Sequence, residues 1–202
     1  MNRSEQWRGL QNSKEAPFDV LVIGGGATGL GIALDAASRG YKTLLLEKHD
    51  FGKGTSSRST KLIHGGVRYL RQGKIGIVLD SLRERGRLLR NAPHLVNTMA
   101  FVIPHYRWWD RPFYGLGLWL YDLLAGKLAI GKTQRLSREE TIARLPTLKH
   151  HGLRGGTLYY DGQFDDTRMC VAIAQAAVDR KATLLNHCGV SGFLKSEDGR
   201  IA

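Results

Sequence analysis

The run Gly24-Gly25-Gly26-Ala27-Thr28-Gly29 fits G-x-G-x-x-G, the spacing that brings a backbone up against a diphosphate. The pattern alone is weak, because 25 glycines in 202 residues give roughly 0.4 matches by chance. Its setting decides. It follows Phe18-Asp19-Val20-Leu21-Val22-Ile23, a β-branched apolar run that reads as a strand covered on both faces. It then opens Leu30 to Ala37, a helix of small residues that Arg39-Gly40 closes. In that setting Gly24 permits the tight turn, Gly26 admits the pyrophosphate and Gly29 lets helix and strand approach closely. The helix start adds unpaired N–H groups and the positive end of its dipole. Glu47 closes a second strand, Tyr41 to Glu47, where a carboxylate accepts bonds from ribose hydroxyls. Strand, turn, helix and strand make a βαβ unit that binds a dinucleotide.

A second constellation separates NAD from FAD. Directly after the second strand, Gly54 to Tyr69 gathers the hydroxyls of Thr55, Ser56 and Ser57, the cations Arg58, Lys61 and Arg68, His64, and the pair Gly65-Gly66. An NAD domain needs no such stretch. A larger cofactor would use the hydroxyls on pyrophosphate and ribityl, and the glycine pair for close approach to a ring. Composition alone also allows a solvated Ser/Thr loop. At these residues, however, the sequence resembles the FAD-dependent glycerol-3-phosphate dehydrogenases, of the broader D-amino-acid-oxidase-like flavoproteins. Three blocks carry the likeness: Ile23 to Gly40; Thr55-Ser56-Ser57 with Lys61-Leu62-Ile63-His64-Gly65-Gly66-Val67-Arg68-Tyr69-Leu70; and Tyr160-Asp161-Gly162-Gln163-Phe164-Asp165-Asp166-Thr167-Arg168.

The resemblance implies an α/β, glutathione-reductase-type FAD-binding Rossmann-like fold with part of a second, substrate- or membrane-facing region. It implies that Gly24, Gly26, Ala27, Thr28 and Gly29 line the FAD pyrophosphate and that Glu47 meets the adenosine ribose. It places Thr55, Ser56, Ser57, Lys61, Leu62 and His64 on the rest of the cofactor, and Val190, on the strand after the long C-terminal helix, against the adenine. Arg68 and Tyr69 fall at the substrate side of the flavin, where a guanidinium suits a phosphate dianion. His64 is a candidate base and equally a hydrogen-bonding group beside the flavin. The implied chemistry is oxidation of sn-glycerol 3-phosphate to dihydroxyacetone phosphate, with electrons passed to a quinone. The family's main substrate arginines and base are expected beyond Ala202, so this segment by itself is expected to hold part of FAD without turning over. A related oxidase of another hydroxy acid or amine, and a silent FAD-binding or membrane-docking module, stay open.

Other features bear on partners. Gly126-Lys127-Leu128-Ala129-Ile130-Gly131-Lys132-Thr133 matches G-x-x-x-x-G-K-T, but it follows a helix-like stretch and the next helix starts near Ser137, so it reads as a basic turn. Phe113 to Ala125 is apolar and too short to span a bilayer. Trp108, Trp109, Arg107 and Arg111 precede it, and Lys127, Lys132 and Arg135 follow, which describes a helix lying in a lipid interface. A buried core helix is the competing reading. The net charge of +12 points to an anionic partner, and no nucleic-acid module accompanies it. Two cysteines fit a reducing compartment and exclude a disulfide framework or a Cys-rich metal site. These features together with the resemblance place the protein in the cytoplasm, peripheral on the inner face of the cell membrane, with a homodimer left open.

The positioning elements follow from pattern. Residues 1–17 read as a flexible leader, 18–98 as the first part of the FAD-binding domain, 99–150 as an inserted segment and 151–202 as its second part. Ile75 to Arg90 has helical spacing with Arg83, Arg85, Arg87 and Arg90 as its polar face. Met99 to Pro104 and Leu158 to Tyr160 read as strands. Ser137-Arg138-Glu139-Glu140 reads as a capping box. Asp165 and Asp166 cap a long helix that runs to about Arg180, and Ala182 to His187 returns to strand. Residues 190–195 and 201–202 would flank a hairpin turn.

Overall fold

A computed structural model describes residues 1–11, 17–66, 69, 72–197 and 199, which divide into two compact units. Residues 1–60 and 165–202 form the first, and 61–164 the second.

In the first unit β1 (Val20–Ile23), β2 (Thr43–Leu46) and β7 (Thr183–Leu185) form a parallel sheet in the order β1-β2-β7. Helix α2 (Ala27–Ser38) connects β1 to β2 and packs against α6 (Asp166–Asp179). The contact is close because it is built from small residues. Ala33, Ala37, Ala174 and Ala177 are buried between Leu30, Leu45 and Leu184, where each lost side-chain volume lets the helices sit nearer the sheet. Asp165 caps α6 by accepting the Arg168 N–H at 3.0 Å. β1 differs from the expectation of cover on both faces: Val22 faces the helices, whereas Leu21 and Ile23 are exposed, because α2 and α6 lie against the other side of each alternation.

The stretch expected as a flexible leader contains α1 (Arg3–Gln11). Asn2 starts it by accepting the Ser4 N–H at 3.0 Å. The helix is then tied to the sheet by polar side chains rather than by an apolar stripe, which is why its composition looked structureless. Arg3 donates to the Asn186 backbone and side-chain oxygens at 2.8 and 2.7 Å, and Gln6 accepts the Leu184 N–H at 2.8 Å.

In the second unit β3 (Leu62–Ile63), β6 (Gly155–Phe164) and β4 (Val96–His105) are antiparallel in that order, and β5 (Gln134–Leu136) also pairs with β6. β4 and β6 match over their whole length, from Val96 opposite Phe164 to His105 opposite Gly155. Helices α3 (Ile75–Asn91) and α4 (Asp110–Ala125) share a core of Val78, Leu82, Tyr121 and Ala125. Helix α5 (Arg138–Arg144) begins with both halves of the capping box between Ser137 and Glu140. The unit is wider than the 99–150 expected for the inserted segment, since β3 and the far half of β6 join its sheet and α3 belongs to the same unit. Pairing with β4 extends the strand at 158–160 to ten residues.

Candidate functional site

In the first unit the glycine turn leaves β1 and enters α2 with Gly24 at φ +107°, a conformation that favours glycine. A Cβ on Gly29 would overlap the Gly24 carbonyl oxygen, so backbone meets backbone there. Gly26 is the N-cap and has no side chain of its own to cap α2; the Ala27 N–H is taken instead by Ser56 Oγ of the neighbouring loop. The other N–H groups of the helix's first turn stand at the positive end of the helix dipole. Nothing lies within 4 Å of a Cβ placed on Gly24, and only Ser56 Oγ (3.3 Å) lies near one on Gly26. That open, amide-lined cradle fits a diphosphate.

Glu47, just past β2, accepts the N–H of Gly25 at 2.6 Å through one oxygen and that of His49 at 2.6 Å through the other. Partial burial pushes its carboxyl up, but the two amide bonds outweigh this and hold it below the ordinary carboxylate range. Glu47 thus fixes the turn. Thr55, Ser56 and Ser57 form a short 3-10 turn, and Ser56 Oγ accepts the Ala27 N–H at 2.9 Å. Ser59 donates to Asp166 at 2.7 Å, which fastens this loop to the start of α6. Ala27 and Thr28 are exposed in the first turn of α2. Val190 was expected on a strand; it lies in irregular backbone five residues beyond the end of β7 and is partly exposed, because the ladder with β2 ends at Leu185.

In the second unit Leu62, His64, Gly66, Tyr69, Phe101, Tyr159 and Asp161 line a cavity of about 460 Å³, within the range of small-molecule sites. Phe101 and Tyr159 stack at 5.4 Å on its wall. Burial, helped by the Asp161 carboxylate, raises the Tyr159 hydroxyl, keeping it a proton donor. Lys61 enters β3 with φ 58°. Arg68 lies outside the described residues.

Beneath this cavity is an ion pair that the pattern did not reveal. Arg85 Nη1 lies 2.8 Å from Asp161 Oδ1 and 2.9 Å from the Tyr121 hydroxyl, with Arg85 and Tyr121 each 1% exposed. Asp161 also accepts the N–H groups of Gly65 (3.1 Å) and Gly162 (3.2 Å). The Tyr121 hydroxyl fills the place where a Cβ on Gly65 would stand. Arg85 is therefore a core residue and not part of the polar face of α3. Its spacing from Val78 and Leu82 was the available signal, masked by the neighbouring Arg83 and Arg87, which do face water and pair with Asp80 and Glu84.

The P-loop match has no phosphate geometry. Gly126–Leu128 is a 3-10 turn after α4, and the Thr133 N–H is donated to the Asp122 carboxylate at 2.8 Å. Helix α4 has two apolar faces. Leu118, Tyr121 and Ala125 are buried, while Phe113, Leu116, Trp119 and Leu123 are 52–68% exposed. Among the described residues no helix is long and apolar enough to cross a membrane.

Residues 19–202 match the family described as FAD dependent oxidoreductase (DAO). The chain belongs to this family. Within it, the chain is 44% identical over 200 residues to the mitochondrial glycerol-3-phosphate dehydrogenase of Schizosaccharomyces pombe, covering 95% of this chain and 31% of that protein. Identity to the human mitochondrial glycerol-3-phosphate dehydrogenase is 47% over 204 residues, covering 98% and 28%. Among solved structures, the glycerol-3-phosphate dehydrogenase of Bacillus halodurans complexed with FAD aligns with a TM-score of 0.70 at 33% identity, over 96% of this chain and 31% of that one. The chain thus spans about three-tenths of these relatives. The fold is the family's FAD-binding fold, and FAD is the family's cofactor.

Proposed function

We propose that the intact protein oxidises sn-glycerol 3-phosphate to dihydroxyacetone phosphate and passes the electrons to a quinone. The supporting observation is the open turn at Gly24–Gly29, braced by Glu47, in a DAO-family chain 44–47% identical to glycerol-3-phosphate dehydrogenases. FAD, when bound, supplies the hydride acceptor. Gly24, Gly26, Ala27, Thr28 and Gly29 form the turn that lines its diphosphate, the Gly24 N–H being held by the Leu46 carbonyl and the Ala27 N–H by Ser56. Glu47 keeps its ionised carboxylate toward the adenosine ribose, with Val190 near the adenine. Thr55, Ser56 and Ser57 offer hydroxyls to the diphosphate side.

Leu62, His64 and Tyr69 bear on the cavity of the second unit, with Lys61 at its entrance strand. His64 serves there as a hydrogen-bonding group, Arg68 pairs with the substrate phosphate, and Tyr69 orients the substrate beside it. The exposed face of α4, flanked by Arg107, Trp108, Trp109 and Arg111, docks on the inner face of the cell membrane, where a quinone dissolves. The protein then works as a peripheral enzyme facing the cytoplasm.

The test is purification of the intact protein with a flavin spectrum and an acceptor-coupled assay on glycerol 3-phosphate. Bound flavin with turnover supports the reading. Bound flavin with no dye reduction on this substrate rejects it in favour of another substrate or a silent module. Arg68→Ala is expected to raise KM far more than it lowers flavin content, and an unchanged KM removes Arg68 from the phosphate site. Leu116→Glu with Trp119→Glu is expected to release the protein from vesicles; unchanged retention removes α4 from the membrane contact.

A further inference from the structure

At the end of the β4–β6 ladder, where His105 faces Gly155, a second cavity of about 400 Å³ opens. Four guanidinium groups line it, from four different elements: Arg111 from the first turn of α4, Arg135 from β5, Arg138 from the start of α5, and Arg154 from the turn before β6. No Asp or Glu lines it. Among the described residues none of the four arginines has an ion-pair partner, and the one hydrogen bond of their side chains is a long one, Arg138 to the His150 carbonyl at 3.4 Å.

Of the acids close to them in sequence, Glu139 stands beside Arg138 with its carboxylate also bonded to Ser137, and three others are committed elsewhere. Asp110 accepts the N–H groups of Tyr106 and Arg107 at 3.0 and 2.8 Å, Asp122 that of Thr133 at 2.8 Å, and Glu140 that of Ser137 at 2.7 Å. His105 is buried and shares a hydrogen bond with Thr157 at 3.1 Å. Elsewhere in the same unit exposed arginines do have partners, as Arg83 and Arg87 do. Four like charges converging on one concavity repel each other, and no carboxylate in its lining offsets them.

We infer that this cavity is a binding site for a phosphate ester, separate from the proposed substrate position. The forked donors of several arginines match a tetrahedral oxyanion with paired bonds, and the volume suits a small molecule or a lipid headgroup rather than a single ion. These two cavities share no lining residue. Arg111 stands one short turn before Phe113 and Leu116, on the exposed apolar face of α4. An anionic phospholipid and a soluble organic phosphate present the same group to it, and the experiment separates them.

Arg135→Gln/Arg154→Gln is compared with Arg83→Gln/Arg87→Gln, which removes the same two charges from the exposed side of α3. Both are made in the intact protein, loaded with flavin or not, since the readouts do not use flavin. One arm titrates inorganic pyrophosphate calorimetrically; the other floats the protein on phosphatidylcholine vesicles with and without phosphatidylglycerol. The cavity variant is expected to lose at least about tenfold in affinity, the worth of one or two charge-assisted bonds, while the control stays within about twofold. Loss in the pyrophosphate arm identifies a soluble ester; loss confined to phosphatidylglycerol vesicles identifies a headgroup. Equal behaviour of the two variants in both arms overturns the site. So does pyrophosphate binding abolished by Arg68→Ala and kept by the cavity variant. Arg135→Lys/Arg154→Lys, which keeps the charge and loses the fork, guards against misfolding and is expected to give an intermediate loss.

Discussion

Glycines in the two units are required for different reasons. In the first unit, Gly24 and Gly29 are demanded by backbone: a methyl group on Gly29 would stand in the carbonyl of Gly24, five residues earlier in the chain. In the second, Gly65 is demanded by a side chain far along the sequence, since the Tyr121 hydroxyl occupies the space a methyl would take. A local constraint leaves a local signature, and G-x-G-x-x-G is one. A constraint imposed from α4 leaves none near Gly65. The same contrast holds for the acids. Glu47 braces a turn from the end of the adjoining strand, whereas Asp161 braces Gly65 and neutralises Arg85 across 96 and 76 positions.

The hardest test of this contrast is Asp161→Asn. It leaves Arg85 charged and buried, and is expected to cost about 3–5 kcal/mol in urea unfolding of the intact protein. Arg85→Met added to it should recover more than half of that loss, since no unpaired charge then remains. A cost no larger than about 1 kcal/mol would mean that water reaches the pair.

Next in size, Glu47→Ala is expected to weaken FAD retention by about tenfold or more, the worth of losing one bond to a charged acceptor. Its pH dependence has a definite sign. A carboxyl held low in the folded state contributes fully above its ordinary value of about 4.3 and loses that contribution as pH falls through the lower folded value. Flavin release on acidification should therefore be steeper in the parent than in Glu47→Gln; identical curves would remove Glu47 from the turn's bracing.

The glycine substitutions probe the comparison itself. Gly29→Ala and Gly65→Ala should each destabilise by about 1–3 kcal/mol through overpacking, but Tyr121→Phe should relieve only the second. Relief of neither would place the Gly65 constraint in Leu82, which also lies within reach at 2.6 Å. The smallest effect is expected for Ser137→Ala. Loss of the capping box should cost about 1 kcal/mol and leave flavin content unchanged, as measured by denaturation and absorbance.

Most of the first unit was legible because its elements are set by neighbours in sequence. The β-branched apolar run, the glycine turn and the small-residue helix imply one another, and β1, α2 and β2 follow within a few residues of the expected bounds. The same holds for Ser137 with Glu140 and for Asp165 at α6, where cap and helix are adjacent. What escaped was set by distant partners. Residues 3–11 lack an apolar period because Arg3 and Gln6 are held by Asn186 and Leu184. Arg85 reads as a surface cation until Asp161 is brought beneath it. The bounds of the second unit were missed because Leu62 and Ile63 gain their strand only by pairing with Gln163 and Gly162.

The bond from Gln6 to Leu184 reaches beyond the placement of α1. Among the described residues β7 is an outer strand of its sheet, and an outer strand with free amides invites a foreign strand to add on. Gln6 takes one of those amides, and α1 lies across the three residues of β7. Residues 1–11 thus occupy the side of β7 that a foreign strand would need, and their removal is expected to cost solubility before it costs flavin.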